Sequence, residues 1–89
     1  SSTVAYRVYA NSLNEVAASF GNNCANAGAT VDNDLSLELP TGVVFTSASW
    51  EVCFTPRGIA DQYLPIDLYA DGETQQVEVF MGGAVRIND

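Results

Sequence analysis

The chain has 89 residues, 47% of them hydrophobic, no histidine, three cations (Arg7, Arg57 and Arg86) and a formal charge of −8. A chain this short makes one domain, residues 1–89, and buries only roughly 60–65% of its unfolded surface, so its stability margin is thin. The apolar content excludes a disordered chain, the acid excess argues against nucleic-acid binding, and the lack of histidine removes the commonest general base and zinc ligand.

In chain order, Val4, Tyr6 and Val8 alternate with Ala5, Arg7 and Tyr9, the two-residue period of a strand. Turn formers at 10–14 follow. Val16, Ala18 and Phe20 then resume the alternation, which predicts a hairpin; Ser12 and Glu15 also fit the capping box of a short helix. Residues 21–34 are small and polar and read as a surface loop. Leu35, Leu37 and Leu39 alternate with Ser36 and Glu38 and predict a strand ending at Pro40-Thr41-Gly42. Val43 to Phe45 begins another.

The most ordered stretch is Trp50-Glu51-Val52-Cys53-Phe54-Thr55-Pro56-Arg57-Gly58. Trp50, Val52 and Phe54 share one face, which makes this the expected central, inner strand of the core, and Pro56 with Gly58 turns the chain sharply. Beyond it, Leu64, Ile66 and Leu68 are matched by Val77 and Val79. Folding about Asp71-Gly72 in a type I′ turn sets Ile66 opposite Val77 and Leu64 opposite Val79. At Gly82-Gly83-Ala84 a three-residue loop would set Met81 opposite Val85 and Val79 opposite Ile87. The expected architecture is mostly β, a small antiparallel two-sheet domain.

Cys24 and Cys53 are the only cysteines. In a cytosolic protein both would be small core residues. In an exported one they would pair, stabilising the fold by roughly 3–4 kcal/mol on the chain-entropy model; the small size favours the bridge. Catalysis is not expected: a serine nucleophile has no histidine or lysine to activate it, and the carboxylates read as exposed. No cofactor is expected. Oxygen ligands at Asp32-Asn33-Asp34 and at Asp67, Asp71 and Glu73 suit calcium in hardness but lack EF-hand spacing, and turns explain them equally. Tyr6, Tyr9, Tyr63 and Tyr69 could form an aromatic binding surface, though tyrosine is also a common strand filler.

Leu39-Pro40-Thr41-Gly42-Val43, followed by the Trp50–Gly58 stretch, resembles the globular domain of GspH/FimT-type minor pilins and pseudopilins. There a leucine-proline-x-glycine-valine turn precedes a strand ending in phenylalanine-x-x-arginine-glycine, here Phe54, Arg57 and Gly58. A hairpin and a short terminal strand introduced by glycine follow, here residues 64–81 and Gly83 to Ile87. The likeness spans about the second half of the chain.

The resemblance implies a structural subunit of a type IV pilus or type II secretion pseudopilus that packs against sister subunits. It implies a periplasmic or cell-surface location and a precursor anchored in the inner membrane by a long N-terminal helix. That helix has no counterpart in these residues, so a piece of a longer subunit is expected, with an apolar patch where the helix would lie. Some relatives bind DNA through a terminal glycine-arginine-x-arginine motif. Gly83-Ala84-Val85-Arg86 lacks the first arginine, and no nucleic-acid partner is expected. The rival readings are a DNA-binding minor pilin and an unrelated extracellular adhesion or carbohydrate-binding β-sandwich.

Overall fold

In a computed structural model of the chain, residues 4–35 and 37–88 are described. Among the described residues nine strands follow one another: β1 (Ala5–Ser12), β2 (Glu15–Gly21), β3 (Thr30–Val31), β4 (Leu37–Glu38), β5 (Val44–Phe45), β6 (Glu51–Phe54), β7 (Leu64–Ala70), β8 (Glu73–Val79) and β9 (Val85–Asn88). A 3-10 turn, Cys24–Asn26, sits between β2 and β3. All pairings are antiparallel and form two sheets. The first runs β3-β2-β1-β6, with β4 also on β2, and the second runs β5-β7-β8-β9.

The β1–β2 hairpin forms as the alternation predicts, with Val8 opposite Ala18. Residues 12–15 make its turn rather than a helix cap. In the second sheet Ile66 pairs with Val77 and Leu64 with Val79. Asp71 and Gly72 both take positive φ, 52° and 78°, as a type I′ turn requires. That turn makes Ala70 and Glu73 a hydrogen-bonded pair, so Pro65, five residues back, falls at a position where β7 need not donate to β8.

The core lies between the sheets. Val16, Phe45, Val52, Ala60, Ile66 and Val79 are buried there, with Val8, Trp50, Phe54, Leu64, Leu68 and Val77 packed against them. Phe45 and Trp50 meet edge to face, ring centroids 5.2 Å apart, a favoured aromatic geometry. A second, smaller cluster of Ala5, Ala27 and Cys53 lies on the other face of the first sheet, beneath the 3-10 turn.

Four expectations change. Trp50, Val52 and Phe54 do face the core, but β6 is the edge of its sheet and begins at Glu51. Its alternate face is covered as well, because Cys53 packs in the second cluster. The strand expected over residues 35–39 shrinks to Leu37–Glu38, which pair with Val16 and Glu15. Leu35 is drawn into the preceding turn, its N–H on the Asp32 carbonyl, and Ser36 lies outside the described residues. The loop at 21–34 contains the 3-10 turn and β3.

Finally, Val79 pairs with Val85 and Val77 with Ile87. The β8–β9 pairing is thus shifted by two residues from the three-residue loop expected. The loop is closed by Phe80 N–H on the Ala84 carbonyl and Gly83 N–H on the Phe80 carbonyl.

Candidate assembly surface

The residues singled out by the sequence fall at two places. Cys24 and Cys53 are bridged, with Cα atoms 5.9 Å apart. The bridge pins the 3-10 turn onto β6 and the outer face of the first sheet. Beside it lies an open cleft of about 350 Å³, lined by Arg7, Glu51, Asp61 and Gln62 as well as both cysteines. Its polar groups are committed within the chain. Arg7 pairs with Glu51 and lies over the Tyr9 ring. Asp61 accepts the Cys53 N–H and Gln62 donates to the Glu51 carbonyl. The cleft is a strapped seam between β6 and the segment after it.

The second place is the turn after β6. Gly58 closes it with its N–H on the Thr55 carbonyl and a φ of +84°. Arg57 projects from this turn and is exposed. Gly83, at φ +91°, packs directly on it: a Cβ there would lie 2.7 Å from the Gly58 carbonyl oxygen. The two signature glycines, far apart in sequence, therefore meet. The contact ties the last turn of the second sheet to the end of the first. Nearby, the Ala60 N–H donates to the Met81 carbonyl.

On the outer face of the second sheet, sequence reasoning missed a buried carboxylate. Glu78 is only 7% exposed. Tyr63 O–H and the Asn88 side-chain amide donate to it, as does Arg86, whose Nη2 stands 2.7 Å away. These donors, Tyr63 foremost, hold its pKa down from 4.5 to about 2. The same bond raises the Tyr63 phenol above its ordinary value. In the first sheet Tyr6 donates to Asp32. This bond pushes the tyrosine up from 10.0 to about 12 and the carboxyl down.

Of the candidate calcium ligands, Asp32 holds Tyr6 and the Asp34 N–H, and Asp67 accepts from Gln76. Among the described residues no three metal-ligating side chains cluster. The four tyrosines are spread over both sheets: Tyr6 pairs with Asp32, Tyr9 lies under Arg7, Tyr63 rests on Phe80 and Tyr69 is exposed on β7.

Apolar surface is nonetheless uncovered. Val79 is 6% exposed, but its cross-strand partner Val85 is 59% exposed and Ile87, on the same face, 68%. Met81 and Ile59 are exposed too. The inner face of the second sheet thus runs on past the first sheet, and its last strand projects two apolar side chains into solvent. Comparison with protein-family models, with curated proteins and with solved structures finds no match to this chain.

Proposed function

We propose that the chain is the globular β-domain of a minor pilin or pseudopilin of GspH/FimT type, a filament subunit that acts by packing against neighbouring subunits. The observation that carries this reading is the Gly58–Gly83 contact. It gives both glycines of the resembling motifs one joint structural task, the joining of two sheets. The exposed face at β9 supports the same reading, since a subunit must offer apolar surface for a neighbour to cover. The disulfide fits a periplasmic or surface location, where such bridges persist. On this reading the domain performs no catalysis and takes no cofactor, and its anchor is an N-terminal apolar helix.

Sequencing the gene upstream of Ser1 tests the proposal. A prepilin leader followed by an apolar helix is expected, and a cytosolic enzyme domain fused there would overturn it. A gel shift with duplex DNA at moderate salt separates the DNA-binding rival: at −8 no retardation is expected.

A further inference from the structure

We infer that the free edge of β9 receives an extended, cationic segment of a partner protein as an added strand of the second sheet. This goes beyond the filament reading, because it specifies the edge, the register and the chemistry of the partner, and it holds whether or not the partner is a pilin.

Apart from the two-residue strands β3 and β4, the other strands are closed along their outer sides. The outer side of β2 is covered by β3 and β4. The outer side of β6 is met by its own following segment: Asp61 bonds Cys53 through both backbone and side chain, Gln62 reaches the Glu51 carbonyl, and Phe54 bridges to Ala60. The far side of β5 is met by the β1–β2 turn, whose Leu13 carbonyl accepts the Phe45 N–H. Among the described residues nothing similar covers β9.

The hydrogen-bond alternation then shows what β9 offers. Phe80 N–H bonds the Ala84 carbonyl, and in the same register Glu78 faces Arg86 and Gln76 faces Asn88. Those are the bonded pairs. In an antiparallel ladder the residues between them, Val85 and Ile87, direct N–H and C=O to the opposite side. The two residues with unused backbone groups are therefore the two with exposed apolar side chains.

Proteins normally guard such an edge with lysine, proline or a bulge. Here the charged residue of β9, Arg86, is turned onto Glu78. An added strand would bond Val85 and Ile87 and lay alternate apolar side chains beside theirs.

Charge selects the occupant. The chain carries −8, and two of its three cations are tied up by Glu51 and Glu78. A second copy would bring another −8 to the edge and be repelled, whereas a basic segment is attracted.

The test titrates isotope-labelled protein with the capped peptide Lys-Val-Lys-Ile-Lys-Val and with its analogue carrying Glu for Lys, at low and high salt. The Lys peptide is expected to shift the Val85 and Ile87 amides first, to weaken with salt, and to be lost with the Glu analogue. Ile87→Lys, which restores an edge guard, and Ile87→Pro, which removes an N–H that β8 does not use, are each expected to weaken binding about tenfold or more. Peptide shifts absent from β9, equal binding by both variants, or concentration-dependent pairing of β9 with a second copy would each overturn the inference. A prepilin leader upstream with no strand addition at β9 would leave the filament reading standing and remove only this one.

Discussion

Glu78 shows how a carboxylate on the outer face of a sheet can be shielded and still stay charged. Three side chains donate to it, so its pKa sits at about 2 rather than 4.5. The unfolded chain binds that proton more readily than the folded one. Its stabilising contribution is therefore complete above the ordinary value and is lost as pH falls through the folded one. Thermal stability is expected to fall between pH 4.5 and 2, and Glu78→Gln to lower Tm at neutral pH and flatten that acid limb. A variant with the same acid limb as wild type would contradict this. Asp32 acts with the same sign through Tyr6.

Tyr6 works in the other direction. Its pKa is raised to about 12, so its contribution is present below the ordinary tyrosine value and lost as pH rises through the folded one. A tyrosinate absorbance titration is expected to show a component near 12 that Tyr6→Phe removes. Gly83→Ala meets both a positive φ and the Gly58 carbonyl and is expected to cost about 1–3 kcal/mol, measured by denaturant unfolding.

Among the elements, the β7–β8 hairpin was the most legible from sequence. Its Asp71-Gly72 turn dictates register, and period-two alternation on both arms agrees with it. The β8–β9 pairing was not legible, because the alternation fits either register and the Gly83–Gly58 contact beside its loop is tertiary and leaves no local mark. The cost of that shift was the site itself. With Val79 placed opposite Ile87, Arg86 falls opposite Phe80, and the Glu78–Arg86 pair is hidden. The true register puts them face to face. Leu37 likewise looked buried by periodicity, yet it sits on a two-residue edge strand and is exposed.

The 3-10 turn depends on the disulfide for its hold on β6. The bridge closes a separation of 29 residues, worth about 3–4 kcal/mol on the chain-entropy model. Reduction, or Cys24→Ser with Cys53→Ser, is expected to lower Tm by on the order of 15 °C in a domain of this size. A shift of only a degree or two would show that the turn holds without it.

At the scale of the whole molecule, two-sheet architecture followed from composition and alternation, because apolar residues recurring at period two can be buried only by a second layer. What alternation could not convey is how far one sheet overlaps the other. The first sheet covers Phe45, Ile66 and Val79 but leaves Val85 and Ile87 in solvent. Among the described residues no helix is long and apolar enough to cross a membrane, so any anchor required by the filament reading lies outside them.

Cell fractionation with an antibody to this domain tests the subunit assignment most directly. The chain is expected in the envelope or in sheared surface filaments, in complexes with other subunits and with Cys24 and Cys53 bridged. Recovery as a free monomer from the cytosol, with both thiols reduced, would contradict it.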